Sequence, residues 1–245
     1  MTMSIAFSGK GGTGKTTLAG LLIKYLIQKD KTPLLAVDAD SNYNLNEVLG
    51  IDVETTLGEV REQMKHGEVP SGMTKDRFMA TKLEEAVEET DNLDLVVMGQ
   101  PEGQGCYCAA NTLLSDFLGK LSTNYDYIVM DNEAGMEHIS RLTTSNIDCL
   151  LIVADPSRRG LQAAERISEL AKSLNIGVKS IYLILNNVKQ EPSEQLLNII
   201  REGGLELLGY IYEDETIQEY DLEGKPTFDL PEDNPAVQSA FSLFD

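Results

Sequence analysis

A glycine-rich stretch near the start of the chain constrains the fold more than any other feature. Residues 8–17 read SGKGGTGKTT and fit the pattern G-x-x-x-x-G-K-[ST] of phosphate-binding loops. The apolar run Met3–Ser8 predicts a strand before it, and Thr16–Gln28 carries leucine and isoleucine at helical spacing after it. Backbone N–H groups at such a helix start attract anions. This context favours a nucleotide site over a glycine-rich turn without a ligand.

The loop itself supplies most of the predicted nucleotide contacts. We expect Lys15 to contact the β- and γ-phosphates of ATP, and the Thr16 hydroxyl to bind Mg²⁺. Lys10 is a second lysine ahead of the usual one, which suits either a surface charge or a cation that reaches the nucleotide of a second copy of the chain. The residues expected around the nucleotide are Gly9, Lys10, Gly11, Gly12, Thr13, Gly14, Lys15, Thr16 and Thr17.

Carboxylates follow two further predicted strands. Leu34–Val37 runs into Asp38 and Asp40, and Tyr127–Met130 runs into Asp131. The carboxyl ends of parallel strands border the ligand crevice, so these side chains are expected near the phosphates. We predict that Asp38 and Asp131 hold the hydrated Mg²⁺ and that Asp40 orients the attacking water. A helix-capping role is the alternative for the aspartates after the second strand.

Asn186 is the last predicted nucleotide contact. It follows the predicted strand Ser180–Leu185, and its amide offers the donor and the acceptor that the edge of adenine requires. An ordinary turn after a strand is the alternative.

Alternating strand and helix patterns set the predicted architecture. The pattern implies an α/β fold, with a doubly wound, mostly parallel sheet and helices on both faces. Helices are also predicted at Leu57–Met64, Arg77–Glu89 and Ala236–Phe244, and Cys149 is expected in a buried strand. No repeat or Pro/Gly-rich linker divides the chain, so residues 1–245 are predicted to form one domain.

The charge and hydropathy of the chain argue against two classes of binding partner. The chain has 40 acidic and 20 basic residues, a formal net charge of -20, which argues against nucleic acid as a partner. No apolar run approaches the roughly 18 to 20 residues that cross a bilayer, so we expect no membrane partner. The start of the chain lacks the features of a signal peptide, and a cytoplasmic location is therefore expected.

Two cysteines form the second distinctive pattern. Cys106 and Cys108 lie on a glycine-rich loop after the predicted strand Leu93–Met98, just before a predicted helix. A helix start favours thiolates, and thiolates bind Ni²⁺ or Zn²⁺. One chain supplies only two such ligands, whereas these ions favour four, so two chains meeting across a twofold axis would complete the site. Simple burial of the two cysteines is the alternative.

The motifs together resemble a known family. Residues 10–17, KGGTGKTT, are similar to the deviant Walker A loop of the MinD/ParA class of dimerising ATPases. The segments MGQPEGQGCYCAAN, residues 98–111, and MDNEAGMEH, residues 130–138, resemble the CooC-type nickel-insertion ATPases that mature carbon monoxide dehydrogenase. The resemblance runs from Met3 to about Phe228 and implies an ATP-dependent homodimer with one metal ion between its C-x-C pairs.

The resemblance also assigns roles to residues. Lys10 takes the position of the lysine that contacts the partner's ATP, Asp40 that of the water-positioning carboxylate and Asp131 that of Walker B. The implied protein partners are a second copy of the chain and an apo nickel enzyme, either carbon monoxide dehydrogenase or acetyl-CoA synthase. Two alternatives stand beside this one: a positioning or partition ATPase, and an iron–sulfur electron-transfer protein, although the loop after Asp131 lacks the cysteine which the latter requires.

Overall fold

The computed structural model describes residues 2–66, 69–100, 117, 119–134, 147–173 and 177–245. Its centre is an eight-stranded sheet with the order β3-β4-β2-β5-β1-β6-β7-β8. The strands are β1 Met3–Gly9, β2 Leu34–Ala39, β3 Val87–Glu89, β4 Asp94–Val97, β5 Tyr127–Asn132, β6 Cys149–Ala154, β7 Ser180–Val188 and β8 Leu207–Tyr212. All neighbours are parallel except β3 and β4. The predicted doubly wound, mostly parallel sheet is confirmed.

Helices cover both faces of the sheet. They are α1 Lys15–Gln28, α2 Leu45–Leu49, α3 Leu57–His66, α4 Lys75–Glu84, α5 Arg158–Ser173, α6 Glu194–Glu202, α7 Glu215–Leu222 and α8 Pro235–Phe244, with 3₁₀ turns at Ser122–Asn124 and Thr227–Asp229. One apolar core lies between the sheet and α1, α2, α7 and α8. The other lies between the opposite face and α3, α4, α5 and α6. Burial on both faces explains why most strands are continuous apolar runs.

The order of the strands places a crevice beside β1. Strands β5, β2 and β4 lie on one side of β1, and strands β6, β7 and β8 lie on the other. In open α/β sheets, ligands bind outside the carboxyl ends of the strands where the strand order reverses. The glycine-rich loop leaves β1 at this edge.

Several boundaries differ from the sequence predictions. The helix predicted over Arg77–Glu89 ends at Glu84, because Val87–Glu89 pairs antiparallel with β4 as an edge strand. Helices α2 and α7 were not predicted at all. Cys149, predicted to be buried, is half-buried at the first position of β6.

In the described part of the chain, no helix combines the length and apolar character needed to cross a bilayer.

Candidate nucleotide-binding site

The loop between β1 and α1 has the backbone of an anion cradle. Gly12 and Gly14 adopt φ values of 76° and 87°, a left-handed conformation that glycine accepts without strain. Gly14 is the N-cap residue of α1 and no side chain caps this helix, so its first N–H groups remain available to an anion. The Thr13 hydroxyl, which is buried, donates a 2.9 Å hydrogen bond to the Lys10 carbonyl oxygen and braces the turn.

Lys15 places a cation inside this cradle. The residue is 7% exposed, and its Nζ donates a long 3.4 Å hydrogen bond to the Lys10 carbonyl oxygen. Burial lowers the pKa of Lys15, while the nearby charges of Asp131 and Asp40 oppose that shift. A bound anion would stabilise the charged form of this buried lysine. That is the interaction predicted between Lys15 and the phosphates of ATP. Lys10, by contrast, is exposed at the start of the loop.

Asp38 organises the segment that follows β2. It is fully buried, and its carboxylate accepts hydrogen bonds from the backbone N–H groups of Asp40 at 3.0 Å, Asn44 at 2.9 Å and Leu45 at 2.8 Å. Burial raises the pKa of Asp38 to about 6, against the effect of these N–H groups. The capping role weighed for this segment is therefore observed for Asp38, at the start of α2. The predicted Mg²⁺ role of Asp38 stays a prediction.

Asp131 lies beside Asp38, because the two residues are paired in the register of β2 and β5. Burial, and then the charge of Asp38, raise the pKa of Asp131 to about 7, while a hydrogen bond with Thr16 and the charge of Lys15 oppose the rise. Among the described residues, its buried Oδ1 has no hydrogen-bond partner. A divalent cation would satisfy that oxygen and stabilise both carboxylates, so the site fits the predicted Mg²⁺.

The magnesium site would depend on the nucleotide. Within the described ranges, no group of three or more His, Cys, Asp and Glu side chains is arranged to hold a metal ion. Mg²⁺ at phosphate sites characteristically uses one or two carboxylates together with phosphate oxygens and water. Thr16, Asp38 and Asp131 therefore suit an ion that arrives with a nucleotide.

A cleft of about 420 Å³ continues from the phosphate loop toward α7. Asn186 lines it, and its Nδ2 donates a 2.8 Å hydrogen bond to the Thr13 carbonyl oxygen, so the amide predicted to contact adenine also supports the loop. Asn187, beside a register shift between β7 and β8, is exposed with a left-handed φ of 57° and lines the same cleft. The adenine contact of Asn186 stays a prediction.

One wall of the cleft is formed by residues to which the sequence analysis assigned no role. The lining residues from this wall are Tyr212, Asp214, Ile217, Gln218, Asp221 and Thr227. Asp214 caps α7, because its carboxylate accepts from the backbone N–H groups of Thr216 at 2.9 Å and Ile217 at 3.2 Å. An aspartate followed by a short helical pattern is a recognisable helix start, so Asp214 is the residue that could have indicated α7.

Cys106 and Cys108 lie outside the described residues, as do residues 135–146 after the predicted Walker B strand. The described start of the cysteine-bearing loop is Gly99 and Gln100, directly after β4. The metal-binding role of the two cysteines therefore stays a prediction.

A phosphate loop between a central strand and a helix, with buried aspartates beside it, defines a phosphate-loop nucleotide-binding protein. The chain belongs to the CobQ/CobB/MinD/ParA nucleotide-binding domain family, whose model matches residues 4–228. It is 46% identical over 236 residues to an uncharacterized ATP-binding protein of Methanocaldococcus jannaschii, covering 95% of this chain and 93% of the relative.

Two further comparisons bear on function. The chain is 32% identical over 245 residues to the carbon monoxide dehydrogenase accessory protein CooC of Rhodospirillum rubrum, covering 93% of this chain and 90% of that protein. It also resembles the structure of the septum site-determining protein MinD of Pyrococcus horikoshii in complex with Mg-ADP. That match has a TM-score of 0.73 and 26% identity and covers 99% of this chain and 94% of that one.

Proposed function

We propose that this protein is an ATP-hydrolysing metallochaperone that delivers nickel to an apo enzyme. The observation that carries the nucleotide part is the phosphate loop with Lys15 enclosed beside Asp131 and Asp40. The cysteine motif and the 32% identity to CooC support the nickel part. The apo enzyme would be carbon monoxide dehydrogenase or acetyl-CoA synthase.

Hydrolysis would use the residues at the carboxyl edge of the sheet. Lys15 and the first N–H groups of α1 would hold the phosphates, and Thr16, Asp38 and Asp131 would hold Mg²⁺. The ion would neutralise charge on the phosphate oxygens. Asp40, whose Oδ1 accepts a 2.8 Å hydrogen bond from the Asn42 backbone N–H, would orient the water. We expect Asp40→Ala to lower turnover at least about 100-fold and to leave ATP binding intact. Turnover and titration with a fluorescent ATP analogue would check this.

Dimerisation would couple ATP to the metal site. A nucleotide favours the dimer only if it binds the dimer more tightly than it binds the monomer. Lys10 is exposed at the edge of the loop, where it could contact the phosphates of a nucleotide in a partner chain. Two C-x-C pairs brought together would then supply four thiolates to one Ni²⁺ or Zn²⁺.

The test of this proposal is metal stoichiometry and oligomeric state measured together. With a non-hydrolysable ATP analogue, we expect a dimer with one Ni²⁺ ion, and without nucleotide we expect mainly monomer with weaker Ni²⁺ binding. Cys106→Ala/Cys108→Ala should lose the metal and Lys10→Ala should lose the ATP-dependent dimer. Cys149→Ala is the matched control and should behave as the wild type. Undiminished Ni²⁺ binding by the double cysteine variant would overturn the nickel role.

A positioning or partition ATPase is the second candidate, favoured by the structural likeness to MinD. Helix α8 counts against membrane binding through this segment, since Ala236, Val237 and Ala240 are buried in the core and Phe241 packs edge-on against Tyr25 at 5.4 Å. Its apolar face is therefore already covered. Sedimentation with anionic liposomes and with DNA, in the presence of ATP, would favour this candidate if the protein co-sedimented.

A further inference from the structure

A side-chain hydrogen bond joins the loop after β2 to the loop after β4. Gln100 Nε2 donates to Asn42 Oδ1 at 2.8 Å, and both residues are exposed. The Asn42 backbone N–H in turn donates to Asp40 Oδ1 at 2.8 Å. Two consecutive hydrogen bonds therefore connect the carboxylate predicted to orient water with the start of the segment that carries Cys106 and Cys108.

The chain is held firmly up to the residue before Gln100. The Met98 backbone N–H donates to the Asp38 carbonyl oxygen at 2.8 Å, and the Met98 carbonyl oxygen accepts from the Gly58 N–H at 2.8 Å. Gly99 is buried with φ +63°, and a Cβ atom there would lie 2.6 Å from the Thr56 side chain. Gln100 is therefore the first exposed residue after β4, and in the described structure its side chain is tied to Asn42.

We propose that Gln100 is a positioning residue that couples the state of Asp40 to the cysteine-bearing segment, an inference that rests on the proposed function. The carboxylate that holds the Asn42 N–H is the one expected to turn toward water beside the γ-phosphate. When it turns, the Asn42 backbone N–H loses its hydrogen bond to Asp40, and Asn42 no longer holds the Gln100 side chain in the same position. Coupling of this kind is reciprocal, so metal binding at the cysteines changes ATP affinity by the same factor.

The experiment compares Ni²⁺ affinity with a non-hydrolysable ATP analogue and with ADP. The Cys149→Ala background removes the third thiol, so the rate of thiol labelling gives a second readout on Cys106 and Cys108. Gln100→Ala should reduce the ratio of the two Ni²⁺ affinities about fivefold, which is the size expected for one neutral hydrogen bond. Affinity for the ATP analogue without metal should stay within about twofold, because Gln100 lies outside the phosphate site.

Matched variants separate coupling from general destabilisation. Asn42→Ala should reduce the ratio as Gln100→Ala does, and the double variant should lose no more than either single variant, because both remove one bond. Asn42→Asp keeps an acceptor for Gln100 and should retain the ratio. Gln28→Ala removes a comparable exposed bond, from Gln28 Nε2 to Glu232 Oε1 at 2.8 Å, and should change nothing.

The outcomes distinguish this coupling from the proposed function. A wild-type protein with a clear nucleotide-dependent ratio that persists in Gln100→Ala and Asn42→Ala overturns the coupling alone. A wild-type protein whose Ni²⁺ affinity and thiol labelling ignore the nucleotide overturns the proposed function, and the coupling with it.

Discussion

Asn186 and Thr13 are joined by a 2.8 Å hydrogen bond from the amide Nδ2 to a backbone carbonyl oxygen, which fastens β7 to the phosphate loop. The Asn186 amide also lies close to the next loop residue, since a Cβ atom on Gly14 would lie 2.3 Å from the same Nδ2. Asn186 is itself buried. From this contact we expect Asn186 to influence nucleotide binding through the backbone of the loop.

Asn186→Ala should therefore weaken nucleotide binding without changing base preference. Removing the donor leaves the buried Thr13 carbonyl oxygen unpaired, which is expected to lower ATP affinity about tenfold. Titration with ATP and GTP decides between the two roles of Asn186. A loop-supporting role lowers both affinities by the same factor, whereas loss of ATP affinity alone would identify Asn186 as a base contact. Asn187→Gly keeps the left-handed backbone that Asn187 adopts at φ 57° and tests direct contact by the Asn187 side chain separately.

Lys24 binds the backbone of the segment that follows Thr227, a residue that lines the cleft. The residue is 9% exposed, and its Nζ donates to the carbonyl oxygens of Phe228 at 2.6 Å and Leu230 at 2.5 Å. Burial lowers the pKa of Lys24 and the charges of Glu232 and Asp229 oppose that shift. Lys24→Met removes both bonds and should lower the free energy of unfolding by about 2–3 kcal/mol.

The control for Lys24 is Lys29, the residue directly after the same helix. Lys29 pairs with Asp245 at 2.8 Å, but the two side chains are 49% and 64% exposed. Exposed ion pairs contribute little because water and salt screen them, so Lys29→Met should hardly shift the urea midpoint. Equal effects of the two substitutions would show that the carbonyl contacts of Lys24 do not stabilise the fold.

The sheet was predictable where strands are buried on both faces. Strands such as the one predicted at Leu34–Val37 are covered by helices on both faces, so nearly all their residues are apolar. A short apolar run is therefore enough to identify them in the sequence. The edge strand Val87–Glu89 has one partner and two glutamates, and it therefore resembled a continuation of α4. Helix α2 has only five residues, too few to show a helical pattern of apolar residues. It begins where the Asp38 carboxylate accepts hydrogen bonds from the Asn44 and Leu45 N–H groups, a contact that the sequence pattern does not reveal.

The candidate site divides in the same way. The phosphate loop and Asp131 were predictable, because a fixed spacing and a strand end place them at the carboxyl edge. The orientation of the Asn186 side chain was not predictable, since it depends on where the end of β7 lies relative to the phosphate loop and not on residue type. No role was predicted for Asn42 or for Gln100, although Gln100 lies within the segment of residues 98–111. Their contact depends on β2 and β4 being neighbours in the sheet.

Gly20 sets the distance between α1 and α2. A Cβ atom at Gly20 would lie 2.3 Å from Val48 Cγ1, closer than real contacts allow. Gly20→Ala should destabilise the fold by about 1–2 kcal/mol, because overpacking outweighs the gain in helix propensity. Val48→Ala makes room, so the double variant should be more stable than the sum of the single effects. A strictly additive pair in urea unfolding would contradict this packing relationship.

The contacts of Asp148 contribute to the free energy of unfolding, and this contribution is lost at acid pH. Burial alone would raise the pKa of Asp148, but the hydrogen bonds from Lys179 and from the Ser4 backbone N–H outweigh burial and lower it. Because the folded pKa lies below the unfolded one, near 3.9, this stabilisation is present above that pH and is lost as pH falls through the folded pKa. The pair is partly exposed, with side chains 20% and 62% accessible, so about 1 kcal/mol is expected.

The substitution Asp148→Asn tests that sign. The variant should be less stable than the wild type at pH 7, and the difference should shrink as the pH falls below the ordinary pKa of an aspartate, near 3.9. Asp91→Asn, in the exposed bend between β3 and β4, is the control, because it replaces an aspartate outside the contact with Lys179 and Ser4. Thermal unfolding at pH 7 and at a pH below about 3.9 measures the difference. A difference for Asp148→Asn that grows on acidification would show that the carboxylate is not stabilised in its charged form.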